Sequence, residues 1–411
     1  MKSQLAIHGG TPVRTKPMPI PNPGSAVLGR EEAEAAAAVL YAKSPFRYYG
    51  PDMLGKTKRF EREFAAKFGA GHALGVTSGT AALVCALKAC GIGPGDKVIV
   101  PACTFVASPG AVICAGAVPV FCDIDESLNM DPAEIERVAD KYAKAVMPIP
   151  ILGAPCRMDE IMAAAKRLGL LVIEDVAQSM GCQYKGQYCG AIGDMGTFSL
   201  QINKILTTGD GGVVISNDAR LYERAVRYHD QGLLRESEGL PGDELFAGQN
   251  YRMSEISGAV ACAQLQKLDG ILGTMRRYKK LITQELRGIV PFRRIDDEQG
   301  DAATTLMMLF PDVETRKAFG AALSAEGIWA GCLYDGKPVY MQPQIFHQKT
   351  VDRGGFPFNQ FDEPVVYTED MCPRAVDLMR RDLFIQLSPL FTDEDAEDVI
   401  AAVRKVAAEL L

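Results

Sequence analysis

The chain has 411 residues, a net charge of -7, 47% hydrophobic and 23% charged residues, the balance of an ordinary globular protein long enough for two domains. The acidic balance and the absence of a long basic run argue against a nucleic-acid surface, and no run of about 18 apolar residues is present to span a membrane. Eleven cysteines without CxxC pairs read as small buried hydrophobes of a reducing, cytoplasmic compartment, and His8, His72, His229 and His347 lie too far apart in sequence to suggest a metal site. The apolar run in MKSQLAIHGGTPVR is too short for a signal peptide.

Residues 1–28 are rich in Pro and Gly and read as an arm lying over another part of the molecule. Residues 30–43 are a helix by propensity, FRYYG (46–50) an aromatic turn, and residues 57–68 a second helix whose Phe60, Phe64 and Phe68 recur at core-packing spacing. From residue 73 short apolar runs alternate with helical segments. ALGVT, KVIVPA, AVPVFCDID, AVMPIPI and LLVIED are each followed by a helical stretch or a polar turn. This rhythm predicts an α/β fold with a mostly parallel sheet covered on both faces. Such sheets bind ligands at the carboxyl ends of their strands, and Ser78, Phe105, Asp175 and Lys204 all fall at or near predicted strand ends.

Each of these groups has a chemical use and a plainer alternative. Ser78-Gly79-Thr80 opens a helix whose free N–H groups would attract a phosphate, or is a simple cap. Phe105 could stack on a planar ring, or be core. Asp175 could hold a protonated ring nitrogen, or a structural ion pair. Around Lys204 the stretch GTFSLQINKILTTGDGG (196–212), read as extended, puts Phe198, Leu200, Ile202, Lys204 and Leu206 on one face. An ammonium buried in that row would have a lowered pKa and serve as a nucleophile; otherwise the lysine is a strand end reaching solvent. A phosphate turn, a stacking aromatic, a carboxylate for a ring nitrogen and a buried lysine together suit pyridoxal 5′-phosphate (PLP). The glycine-rich GIGPG (91–95) lies between a helix and a strand and reads as a turn.

The motifs IHGGTPVR, FEREFAAKFGAGHALGVTSGTAAL, GIGPGDKVIVPACTFVAS, VIEDVAQSMGCQYKGQYCGAIGDMGTFSLQINKILTTGDGG and GQNYRMSEISGAV resemble the DegT/DnrJ/EryC1/StrS aminotransferases over nearly the whole chain. The resemblance implies the type I PLP aminotransferase fold, a homodimer with shared active sites, and transfer of an amino group from glutamate or glutamine to a keto sugar or keto cyclitol. It makes Lys204 the Schiff-base lysine and proton shuttle, Asp175 the pyridine-nitrogen partner and Gln178 a residue near the ring hydroxyl. It likewise assigns Phe105 to ring stacking, Ser78, Gly79, Thr80 and Ser199 to the phosphate, and Asn250 to the phosphate across the dimer. Two departures stand out: Pro150 where a histidine is expected, and GDGG in place of GEGG. The intact lysine argues against relatives that carry histidine there and dehydrate their substrates. Other readings on the same fold are an aromatising synthase and a non-catalytic regulator.

The second half fits a division into a large domain (1–265) and a smaller C-terminal α+β domain (266–411). Residues 254–286 read as a long linking helix, 304–310 as a strand, 313–327 as a helix, and Thr392-Asp393-Glu394-Asp395 as a capping box. Between them, residues 334–371 are dense in Gly, Pro and aromatics, either a covering loop or a substrate-facing segment with Tyr334, His347, Lys349 and Arg353 as polar candidates.

Overall fold

The computed structural model describes residues 4–233, 235 and 244–411. The helix–strand rhythm gives, as its longer elements, α1 (Arg30–Tyr41), α2 (Lys56–Phe68), β1 (His72–Val76), α3 (Gly79–Ala89), β2 (Lys97–Pro101), α4 (Ala107–Cys114), β3 (Val118–Cys122), α5 (Pro132–Val138), β4 (Ala143–Val146), α6 (Met158–Leu168) and β5 (Leu171–Asp175). Then come β6 (Met195–Ser199), β7 (Gly212–Ser216), α7 (Ala219–His229), α8 (Glu255–Leu286), β8 (Thr305–Leu309), α9 (Val313–Ala325), α10 (Pro373–Arg381), β9 (Asp382–Gln386) and α11 (Asp393–Leu410).

Seven strands form one sheet in the order β1-β7-β6-β5-β4-β2-β3, and only β7 runs against the others. Side chains alternate across it. Ile99, Val172, Val213 and Ile215 enter one core, and Val98, Val100, Ile173 and Val214 the other. The Phe60–Phe64–Phe68 stripe is buried against Phe198 of β6, as core spacing predicts. The predicted capping box is present: Asp395 N–H donates to Thr392 Oγ1, and Thr392 N–H donates to Asp395 Oδ2 over 2.8 Å. α8 is unbroken over 32 residues, and β8 and β9 pair antiparallel in a separate two-stranded sheet.

Two acidic residues set local geometry. Glu174, beside Asp175 on β5, points to the opposite face and is buried. Its carboxylate accepts N–H bonds from Gly190 (2.7 Å), Ile192 (2.9 Å) and Gly193 (2.7 Å). The GAIG turn of the sequence therefore wraps a carboxylate. Gly196 must lack a side chain there, because a Cβ would lie 2.1 Å from the Gly190 carbonyl oxygen. Asp382, at the start of β9, accepts the Leu333 N–H over 2.8 Å, while its Oδ2 is buried without a partner among the described residues. Burial pushes its pKa up to about 7.

Residues 334–371 form a cover on the sheet's β3 edge. Tyr340 and Tyr367 pack on Phe121, and the Tyr367 hydroxyl donates to the Pro119 carbonyl over 2.7 Å.

Replacing Glu174 with Ala leaves one buried and two part-buried N–H groups without their acceptor and should destabilise the protein by about 3 kcal/mol in urea unfolding; a loss below about 1 kcal/mol would contradict this role. The raised pKa of Asp382 predicts a contribution that falls as pH climbs from about 4, where an unfolded aspartate titrates, to about 7. Asp382→Asn should therefore gain on the parent protein across that window in calorimetry, and a constant difference in Tm would refute it.

Candidate active site

A cavity of about 620 Å³ opens at the carboxyl edge of the sheet. Ser78, Gly79, Thr80, Phe105, Asp175, Gln178, Ser199 and Lys204 all line it, so eight of the nine expected site residues converge. Asn250 does not. It is exposed and bridges to Asp230, away from its own chain's cavity.

Backbone crowding builds the floor. Gly212 begins β7 and sits in register between Val76 of β1 and Ser199 of β6. A Cβ on Gly212 would lie 2.2 Å from the Ser78 carbonyl oxygen, and one on Gly79 would lie 2.7 Å from Ser199 Cβ. Ser78 caps α3 by accepting the Ala81 N–H over 3.0 Å. The plainer reading of its hydroxyl thus holds. The first-turn N–H groups of α3 have no helical acceptor and, with the Ser199 hydroxyl, form an anion cradle.

Lys204 is placed differently from the extended row expected of it. β6 ends at Ser199, and the chain then turns, with Lys204 N–H donating to the Gln201 carbonyl over 2.9 Å and Asn203 N–H donating to Gln201 Oε1 over 2.8 Å. The alternation breaks because this turn satisfies its own backbone: Leu200 and Leu206 are buried, while Ile202 is exposed. Leu200 N–H to Gly211 closes the loop at 2.8 Å, and Gln264 of α8 braces it by accepting the Thr207 N–H over 3.1 Å. The N-terminal arm lies behind it. Gly24 N–H donates to the Lys204 carbonyl over 3.0 Å, and Pro21 and Pro23 reach the cavity wall.

The Lys204 amine makes no hydrogen bond or ion pair within the described residues, and burial lowers its pKa against the opposing pull of the Asp175 charge. Burial raises the Asp175 pKa in turn, offset by the Ser108 hydroxyl at 2.8 Å, the Ala177 N–H at 3.1 Å and the Lys204 charge. Ser108 is a functional neighbour that sequence reasoning passed over, although it lies in the CTFVAS motif. The Phe105 ring is 53% exposed, lying open to the cavity with its centroid 6.4 Å from that of Tyr334.

Tyr334 is the one residue of the four polar candidates in 334–371 that lines the cavity; its hydroxyl accepts from Gln178 Nε2 over 2.9 Å. Burial raises the phenol's pKa and keeps it protonated. Tyr334 and Asp335 both adopt left-handed backbone, with φ of 50° and 54°, a strained turn anchored through Leu333 to Asp382. Thr304, Thr305 and Gln386, from the ends of β8 and β9, complete the wall opposite. Their neutral side chains carried no sequence signal. Pro150 is not among the lining residues, and its carbonyl accepts the Ser179 hydroxyl.

The cradle, cut to backbone size by Gly79 and Gly212, fits a phosphate. The open Phe105 ring, the buried Asp175 and the partnerless Lys204 amine fit an aldehyde-bearing pyridine.

The family profile of DegT/DnrJ/EryC1/StrS aminotransferases matches residues 29–404. An L-glutamine:2-deoxy-scyllo-inosose aminotransferase of Streptomyces paromomycinus is 32% identical over 99% of this chain and 98% of its own length. A GDP-perosamine synthase of Escherichia coli O157:H7 is 38% identical over 61% of this chain and 68% of its own. The crystal structure of DesV from S. venezuelae superposes with a TM-score of 0.79 at 30% identity, covering 92% of this chain and 94% of that one. The chain belongs to the DegT/DnrJ/EryC1/StrS aminotransferase family, whose members are PLP-dependent.

Proposed function

We propose that this aminotransferase moves an amino group from glutamine or glutamate to a keto sugar or keto cyclitol in amino-sugar biosynthesis. The observation that carries the reading is Lys204: a half-buried amine without a hydrogen-bond or ion-pair partner among the described residues, lining with Asp175 a cavity whose floor is a phosphate-sized cradle. The named relatives act on an inosose and in the synthesis of a nucleotide-linked amino sugar, and they support the substrate class.

The proposed cofactor is PLP, which when bound supplies an electron sink for the negative charge left by loss of a proton at the carbon bearing nitrogen. Gly79, Thr80 and Ser199 would hold its phosphate, Asp175 its ring nitrogen, Gln178 its ring hydroxyl, and Phe105 would stack on the ring. The lowered pKa of Lys204 makes Nζ a free base near neutral pH more readily than an ordinary lysine. Nζ can therefore take the α proton of the donor and, in the second half-reaction, return a proton to the acceptor carbon. Ser108 holds Asp175 in place, and Tyr334 orients Gln178.

The active unit is a homodimer in which Asn250 of the partner subunit reaches the phosphate; the exposure of Asn250 away from its own cavity supports this. A division at 265/266 and a cytoplasmic location, argued from unpaired cysteines, complete the reading.

Four outcomes test it. Purified protein with PLP should show a band near roughly 410–430 nm that bleaches with glutamine or glutamate; a protein that binds PLP but ignores both donors would overturn the assignment. Lys204→Met should abolish that band and turnover; retained turnover would refute it. The rate of cofactor capture should rise with pH around a midpoint below the ordinary lysine value of about 10.4. Gly212→Ala should weaken PLP binding at least about tenfold by pushing the Ser78 carbonyl out of the cradle, and an unchanged Kd would exclude the cradle as the phosphate site.

A further inference from the structure

None of the motif IHGGTPVR (7–14) lines the cavity. It roots the N-terminal arm on the C-terminal elements. Glu326, fully buried just past α9, accepts the N–H groups of Ala6 (2.8 Å) and Val13 (3.0 Å) and pairs with Lys405 of α11. Arg14 closes the motif, and its side chain is 2% exposed. Its guanidinium pairs with Asp395 and Asp398 in the first turns of α11, each over 2.8 Å. It also donates to the carbonyls of Lys16 (2.8 Å) and Pro17 (2.7 Å). One planar fork thus fixes both the helix and the direction in which the arm leaves it.

From that root the chain reads KPMPIPNPG (16–24), with proline at every second position from 17 to 23. Each proline fixes its own φ and pushes the residue before it toward an extended conformation, so the stretch is stiff. At about 3.1 Å per residue, such a segment spans roughly 20 Å. Ser388, just past β9, pins its middle by donating its hydroxyl to the Ile20 carbonyl over 2.7 Å. Pro21 and Pro23 then join the cavity wall, and Gly24 N–H donates to the Lys204 carbonyl over 3.0 Å. A Cβ on Gly24 would lie 2.8 Å from the Thr207 nitrogen and 2.9 Å from the Lys204 carbonyl oxygen. A glycine- and serine-rich linker in this place would tether the lysine loop without locating it; a pinned, proline-stiffened segment locates it.

We propose that the arm is a strut that sets the position of Lys204, with Gly24 as the contacting and Arg14 as the remote positioning residue. The inference rests on reading Lys204 as the cofactor lysine. Neither residue touches the reacting atoms: Gly24 acts on the main chain at Lys204, and Arg14 acts through Gly24. Slackening the strut lets the 200–211 turn drift and water reach the amine, which removes part of the burial that lowers its pKa. A higher pKa leaves less free base at neutral pH and slows attack on an aldehyde.

The test follows capture of PLP by the full-length, cofactor-free protein across pH, with urea unfolding of the same samples as a separate readout. Gly24→Ala and Arg14→Gln should each raise the midpoint of capture by about one pH unit, which slows capture at neutral pH about tenfold. Combined in one chain, they should slow it no further than the stronger of the two, because both break the same connection; independent sites would multiply. Should Arg14→Gln not fold, Ser388→Ala, which removes only the bond at the middle of the strut, takes its place with a smaller shift in the same direction. A midpoint unmoved in Gly24→Ala and in the second variant, whatever the urea result, would overturn the strut while leaving Lys204 as the cofactor lysine. Multiplied effects in the double variant would overturn the link between the arm's root and its tip. A parent protein that develops no visible band with PLP would sink the reading of Lys204, and this inference with it.

Discussion

The site depends on how closely three strand ends can approach. β1, β7 and β6 meet at the carboxyl edge of the sheet, and Gly212 stands between them with no room for a methyl group. That approach brings the Ser78-Gly79-Thr80 turn against Ser199, so one helix start and one strand end form a single cradle. Because β7 runs against its neighbours, it is its first residue, not its last, that arrives at this edge. The GDGG sequence is thus a packing requirement before it is a binding motif.

Lys204 shows a second constraint: a nucleophilic amine has to be partly sheltered from water with no ion-pair partner among the described residues. The turn 200–211 does this from three sides. Its own backbone closes it, Gln264 of the long helix braces Thr207, and the arm at Gly24 blocks the rear. Gln264 also donates to the buried Glu32 of α1 over 2.9 Å, so the loop is tied into the core. Tyr334 is held on comparable terms, in backbone strain that the carboxyl of Asp382 helps to maintain. Both residues illustrate stability given up locally for position.

Much of this was legible in the chain. Alternating apolar runs and helical stretches revealed the parallel sheet, because strands buried on both faces read as continuous hydrophobic segments. The shared strand-end address of Ser78, Phe105 and Asp175 followed from that. Lys204 was found for a partly wrong reason: the period-two row does not exist, since Gln201 turns the chain after Ser199. Gln178, Ser199 and Asn250 were reachable only through resemblance. Glu174 was hidden beside a more conspicuous aspartate, because sequence does not say which face of a strand end will find three N–H groups waiting. The segment 334–371 mixes a covering role with one cavity residue, and nothing in its composition separates Tyr334 from its neighbours.

The residues around the cavity run from Pro21 to Gln386, nearly the whole length of the chain. During synthesis from the N-terminus the large sheet can close long before β9 has emerged, leaving a shelf that carries Lys204 and Asp175 without the wall opposite. Folding of such chains proceeds largely in order of synthesis. A nascent chain therefore carries Lys204 as a more ordinary, solvated ammonium, and the burial that lowers its pKa is completed only when the last wall arrives.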